Sequence, residues 1–117
     1  MKIDVQAVAK GALDDARVLL EPEAKRLGER GAVLVRRLAA IEADVRATLS
    51  ALESSTSELE AAALREDLEA TLPARRRILL AAVEAELGSS AKATLDAALE
   101  VGLRVALVLA RAFIPIP

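Results

Sequence analysis

The sequence predicts an all-α protein, folded either as a bundle of three or four helices or as an elongated helical hairpin. Hydrophobic residues make up 54% of the 117 residues, yet only one residue is aromatic. This Ala- and Leu-rich composition favours helices packed on helices. Apolar residues also recur at spacings of three and four through most of the chain, which is the helical period. Because 117 residues leave no room for a second core, a single all-α domain over residues 1–117 is expected.

A first helix is predicted over residues 4–20. Asp4 has a side chain suited to the N-cap position, and apolar residues follow it at helical spacing. Pro22 should end or kink this helix, because proline lacks an amide hydrogen and restricts the residue before it. Pro22 is equally suited to the first turn of the next helix.

A long second helix is predicted over residues 22–53 from a heptad pattern. Its seam alternates spacings of four and three, at Leu27, Gly31, Leu34, Leu38, Ile41, Val45, Thr48 and Leu52. Two interpretations remain open: the seam is the inner face of an antiparallel hairpin within one chain, or it pairs two chains as a coiled coil. Gly28 and Gly31 either permit close backbone approach or only weaken the first turns.

A third helix is predicted over residues 58–87. Ser57 and Glu60 form a capping-box pattern after a Ser- and Thr-rich turn. Pro73 lies inside the predicted range and should kink or interrupt the helix. Gly88 is the expected C-terminal cap.

A fourth helix is predicted over residues 90–114 and is the most apolar segment of the chain. Between Leu99 and Ile114 its only charged residues are Glu100, Arg104 and Arg111. The stretch is shorter than the roughly 20 apolar residues of a membrane span and contains two arginines. Burial among other helices is therefore the favoured interpretation, with contact at a membrane surface as the alternative.

The missing residue types argue against an enzyme. The chain has no Cys, His, Trp or Tyr, the residues that most often bind metals, transfer protons near neutral pH or stack on bases and sugars. Neighbouring carboxylates such as Glu66 and Asp67 diverge by about 100° on a helix, so they do not converge on a substrate. No catalytic residue, metal ligand, cofactor or small-molecule substrate is predicted.

The charge balance argues against nucleic-acid binding. The chain carries 16 basic and 18 acidic residues, a net charge of −2, whereas nucleic-acid binders usually have a basic surplus. The first ten residues do not have the pattern of a secretory signal. The expected location is therefore the cytoplasm, or a virion or other assembly.

Three sets of residues are predicted to make contacts. A helix-pairing interface is assigned to Leu27, Gly31, Leu34, Leu38, Ile41, Val45 and Leu52. A docking surface on the fourth helix is assigned to Leu103, Val105, Leu107, Val108, Leu109, Phe113 and Ile114. A candidate anion contact is formed by Arg75, Arg76 and Arg77, which would lie in a first helical turn if Pro73 begins a helix. Pairing with the acidic residues just upstream, or simple solvation, is the alternative for these arginines.

In composition the chain resembles small Ala/Leu/Arg/Glu-rich helical proteins of high-GC bacteria and their phages, among them virion and assembly components. The resemblance implies a non-enzymatic structural or assembly protein, whose partners are copies of itself or a larger structural protein. The alternative is a membrane- or lipid-surface protein that uses its amphipathic C-terminal helix.

Overall fold

The computed structural model of the chain describes residues 4–113, which form four α-helices and no strand. The helices are α1 (Val5–Lys25), α2 (Glu29–Ser54), α3 (Glu58–Leu87) and α4 (Ser89–Ala112). Each helix packs against the next, and α1 packs against α4, so the four helices close into an up-and-down bundle. The predicted all-α bundle is confirmed. Its dimensions are 50 × 28 × 22 Å.

Short polar side chains and glycines set the helix ends. The Asp4 side chain accepts a hydrogen bond from the Ala7 amide at 3.1 Å, and the Ser57 hydroxyl accepts one from the Glu60 amide at 3.3 Å. Gly88 separates α3 from α4 with a φ of 94°, a conformation that other residues rarely adopt. The caps predicted at these positions are therefore present.

The first helix extends further than the sequence indicates. α1 continues through Pro22 to Lys25, and the chain turns at residues 26–28, so α2 begins at Glu29 rather than at residue 22. Pro22 is exposed, so water can bind the carbonyl group that its missing amide leaves free. The turn itself uses Gly28, which has a φ of 62°.

The third helix runs unbroken through its proline. α3 covers the predicted range 58–87, and Pro73 lies inside it on the exposed side. Buried Leu72 and Leu79 pack into the core on either side of this proline, which holds the helix together across the lost hydrogen bond. Of the two predicted outcomes, a kink or an interruption, the interruption does not occur, and α3 keeps the predicted range.

Glycines let α1 approach both of its neighbours closely. A Cβ atom at Gly31 of α2 would stand 1.7 Å from the carbonyl oxygen of Ala24. A Cβ atom at Gly102 of α4 would stand 2.8 Å from the carbonyl oxygen of Ala12. Both helix pairs therefore pack backbone against backbone, at a distance that only glycine allows.

Candidate interaction surfaces

The predicted helix-pairing residues lie inside the bundle of a single chain. Six of them are buried, namely Gly31, Leu34, Leu38, Ile41, Val45 and Leu52. Leu27 lies in the turn before α2 and packs half-buried against the core. At the end of the seam Leu49, not Thr48, takes the buried position. The heptad seam of α2 therefore pairs helices within the chain.

The predicted docking residues of α4 do not share one exposed surface. Leu103 is buried, and Leu107, Leu109 and Phe113 pack half-buried against the core. Val105 is half-buried and Val108 is exposed. Ile114 lies outside the described residues. Most of this set therefore contributes to the fold, and Val105 and Val108 remain available at the surface.

The three consecutive arginines face three directions. Arg75 pairs with Asp44 of α2. Arg76 donates from Nε to Asp96 Oδ1 at 2.9 Å and from Nη1 to Glu100 Oε2 at 2.8 Å, both on α4. Arg77 is exposed and pairs with no described residue. The first two arginines thus join helices, and they lie in the middle of α3 rather than in a first turn.

The Arg76 cluster shifts the pKa values of Arg76 and Glu100. Hydrogen bonds from Arg76 and then from Arg104 hold the pKa of Glu100 below its ordinary range. Burial opposes the charged form of Arg76, but its hydrogen bonds to Asp96 and Glu100 outweigh that effect and raise its pKa. Both shifts favour the charged forms of Arg76 and Glu100, so their ion pair holds α3 against α4.

Ion pairs cross three of the four contacts between adjacent helices of the bundle. They join α1 to α2 (Arg17–Glu42), α2 to α3 (Arg30–Glu86 and Arg75–Asp44), and α3 to α4 (Arg76–Asp96, Arg76–Glu100, Lys92–Glu84 and Arg111–Glu69). Within residues 4–113 no ion pair joins α1 to α4. That contact is apolar, and Gly102 lies in it.

A second heptad seam runs along the outside of α4. We define the α4 outer seam as Thr94, Ala98, Val101, Val105, Val108 and Ala112, whose spacings alternate between four and three. None of these residues is charged, and Val101 and Val108 are 61% and 57% exposed. The seam lies between the edge of α4 that contacts α1 and the charged edge that faces α3. The same spacing rule that identified the α2 seam could have found it in the sequence.

The neighbouring side of α1 extends this apolar surface. Val8 and Leu19 of α1 are both exposed by about two fifths, at 43% and 41%. Leu19 and Thr94 line one shallow depression of about 290 Å³ where α1 meets the start of α4. We define the α1/α4 face as the α4 outer seam together with Val8 and Leu19.

The opposite side of the bundle is charged. A groove of about 270 Å³ between α2 and α3 is lined by Val33, Arg36, Arg37, Ala40, Arg75 and Ile78. Arg36 and Arg37 are exposed, and neither is ion-paired with a described residue. Towards the other end of the same two helices, α3 exposes Glu60 and Asp67. The end with Arg36 and Arg37 also exposes Glu29, so charges of both signs lie there.

A third depression contains charged side chains that pair with one another, among them Lys10 with Asp14. About 530 Å³ lies between α1 and α2, with Leu13 and Val45 among its lining residues. Its charged groups include Arg17, which pairs with Glu42. In the described part of the chain, no group of three or more acidic, His or Cys side chains is placed to hold a metal ion. None of the four helices is both long enough and apolar enough to cross a membrane.

Comparison with protein-family models, with curated proteins and with solved structures gave no match.

Proposed function

We propose that this protein is a non-enzymatic structural or assembly protein, an oligomer subunit of the kind found among phage virion components. It would act by packing the α1/α4 face of one copy against the same face of another. The observation that supports this proposal is the α4 outer seam, an uncharged heptad pattern in which four residues are exposed and two, Ala98 and Val105, are half-buried.

A heptad repeat on a solvent-facing surface favours a helical partner. Residues spaced by four and three form a straight stripe that fits another helix, whereas a solvated helix face needs no such repeat. The seam from residue 94 to residue 112 is about 27 Å long at 1.5 Å per residue. Its small side chains let a second helix come close, and each valine that loses its contact with water adds favourable transfer free energy.

The size of the bundle is compatible with such an interface. A standard protein–protein interface buries about 800 Å² on each partner, a small part of the 7055 Å² surface of this chain. Even the narrower side of the bundle measures 50 × 22 Å. One face can therefore supply the whole contact area.

Charge favours a second copy as the partner. A face that meets its own copy repels itself if it carries a net charge, so self-association favours an uncharged or balanced face. The α4 outer seam is uncharged, Asp15 lies between Val8 and Leu19 on α1, and Arg104 borders the seam on α4, so the face as a whole carries charges of both signs. The absence of interleaved Lys and aromatic residues is less typical of a helix that lies on a lipid surface.

The test is the mass of the protein in solution as a function of concentration. The wild type should form dimers or larger species, and Val101→Glu should shift the population to monomer because it places a charge in the seam. Leu59→Glu is the matched control, since Leu59 is 83% exposed on α3, away from this face. Circular dichroism should show that both variants remain helical.

Two results would contradict the proposal. One is a wild type that stays monomeric across the concentration range. The other is Val101→Glu that associates as strongly as Leu59→Glu. Flotation of the wild type with lipid vesicles, abolished by Val101→Glu, would instead support the membrane-surface alternative.

A further inference from the structure

Three arginine side chains line the groove between α2 and α3. They are Arg36 and Arg37 of α2 and Arg75 of α3, and no carboxylate of the described residues lines the groove with them. We propose that this groove binds a phosphate group, either in the headgroup of a lipid or in a soluble phosphate compound. The proposal does not depend on association of copies, because none of the three arginines lies on the α1/α4 face.

Two of these arginines have no ion-pair partner within the bundle. Most arginines of the described chain pair with a carboxylate, and those that do not are Arg36, Arg37, Arg46 and Arg77. Arg36 and Arg37 are also exposed. A guanidinium group without a carboxylate keeps its five N–H donors for a ligand.

The third arginine is held beside them by Asp44. This ion pair joins the carboxylate of Asp44 to Nε of Arg75, and the two Nη groups of Arg75 donate no hydrogen bond to a described residue. Asp44 therefore restrains the side chain but leaves donors for a ligand. Because one carboxylate stands against three arginines, the groove keeps a positive charge.

The number of guanidinium groups favours phosphate over a carboxylate ligand. One planar guanidinium fork satisfies both oxygens of a carboxylate, whereas a phosphate group presents further oxygens to a second and a third fork. Val33 and Ile78 line the same groove and are 37% and 52% exposed. They offer apolar contact to the organic part of a phosphate ester.

Glu29 lies at the same end of this side and opposes an anion there. It precedes Arg36 by seven residues, about 10 Å along α2 at 1.5 Å per residue, and it does not line the groove. The screening length is also about 10 Å at 0.1 M salt, so Glu29 weakens the attraction without removing it. Arg30 and Glu86 pair at this end and largely cancel each other's charge.

The experiment is a titration with inorganic phosphate at constant ionic strength, followed by NMR of the backbone amides and arginine Nε–H groups. Signals of Arg36, Arg37 and Arg75 should shift together and saturate. Variant R36Q/R37Q should raise the dissociation constant about tenfold or more, because two charged donors are lost. Variant R46Q/R77Q is the matched control, since it removes the same charge from arginines outside the groove, and it should bind like the wild type.

Glu29→Gln provides an independent readout. At 0.01 M salt the screening length is about 30 Å, so this variant should bind phosphate more tightly than the wild type. The difference should shrink as the salt concentration rises. Circular dichroism should show that all of these surface variants remain helical.

Lipid vesicles distinguish the two sources of phosphate. Flotation with vesicles of phosphatidylcholine and phosphatidic acid, abolished by R36Q/R37Q and kept by R46Q/R77Q, would assign the lipid headgroup. Saturable binding of inorganic phosphate without flotation would assign a soluble compound. The proposal is overturned if neither probe binds, or if R46Q/R77Q weakens binding as much as R36Q/R37Q does. A wild type that stays monomeric would contradict the α1/α4 contact but leave these results unchanged.

Discussion

Replacing Gly31 by alanine tests the closest contact in the bundle. The new Cβ atom would stand 1.7 Å from the carbonyl oxygen of Ala24 and 2.4 Å from its carbonyl carbon. Cβ atoms essentially never approach another heavy atom within 3.0 Å, so α1 and α2 must separate by more than 1 Å. No flexible side chain can move away instead, because the obstacle is backbone.

The expected cost follows from that displacement. Extra methylene groups in a packed core typically lower the free energy of unfolding by about 1–3 kcal/mol. Because the obstacle here is rigid backbone, we expect Gly31→Ala to lower it by about 3 kcal/mol. Moving the helices apart also opens gaps beside Leu20 and Leu34, and a gap of about 0.5–1 Å loses a quarter to a half of each dispersion contact. The free energy of unfolding of a domain is usually about 5–15 kcal/mol. A decrease of this size is therefore large enough to measure by urea unfolding.

Gly11→Ala is the matched control. A Cβ atom at Gly11 has no other atom within 4 Å, so the change should stabilise α1 by about 0.5–1 kcal/mol through helix propensity and the unfolded chain. The chemical change is the same at both sites, so the difference between the two variants measures the packing cost. Urea unfolding, followed by circular dichroism at one low protein concentration, gives both free energies. A difference below about 1 kcal/mol would refute the close-packing argument.

Three further predictions concern the contacts of α4. Gly102→Ala should cost about 1–3 kcal/mol in urea unfolding, because a Cβ atom would stand 2.8 Å from backbone of α1; a neutral result would mean that α1 and α4 are further apart. Leu99→Ala should cost about 2–5 kcal/mol, whereas Val18→Ala at an exposed position should stay within about 0.5 kcal/mol, and equal effects would contradict the burial pattern. Glu100 favours its charged form in the folded state, because Arg76 lowers its pKa from the ordinary 4.5. Its contribution is therefore complete above that value and is lost as the pH falls through the folded-state pKa. Thermal unfolding as a function of pH should show a smaller acid loss for Glu100→Gln than for the wild type, and identical profiles would exclude this linkage.

The second helix shows how far a periodic pattern predicts a fold. Its buried positions from Gly31 to Val45 follow the predicted seam, because the seam matches the helical period over two heptads. A straight helix drifts by about 20° per heptad from a 3.5-residue repeat. Near the end of α2 this drift places Leu49 rather than Thr48 against the core. Helix-capping residues were predictable for the same local reason, since their bonds reach only three residues along the chain.

Proline positions were harder to interpret from sequence. A proline removes one hydrogen bond wherever it lies in a helix, but the consequence depends on whether water reaches the freed carbonyl group. Pro22 and Pro73 are both exposed, and buried residues flank each of them, so both helices continue. Which face of a helix is buried depends on tertiary packing. The sequence around either proline therefore does not show whether the proline is exposed.

The arginine row was also beyond local prediction. The sequence offered the acidic residues just upstream as partners, whereas Arg75 pairs with Asp44 and Arg76 with Asp96 and Glu100. These partners are 31, 20 and 24 residues away in sequence. Only the order in which the helices pack brings them together, so the site could be located in the sequence but its partners could not.

The fourth helix has two apolar stripes, and only one of them can face the core of the bundle. One stripe contains Leu95, Leu99 and Leu103 and is buried, whereas the α4 outer seam contains alanine, threonine and valine. Leucine buries more apolar area than alanine or valine, so the leucine stripe gives the larger gain inside the bundle. The outer seam is left with the smaller residues, which suit a weaker contact that forms after folding.

Salt should not weaken the proposed α1/α4 contact. The α4 outer seam carries no charge, so raising the salt concentration leaves its association unchanged or strengthens it. A wild-type mass that falls as the salt concentration rises would contradict an apolar contact between copies.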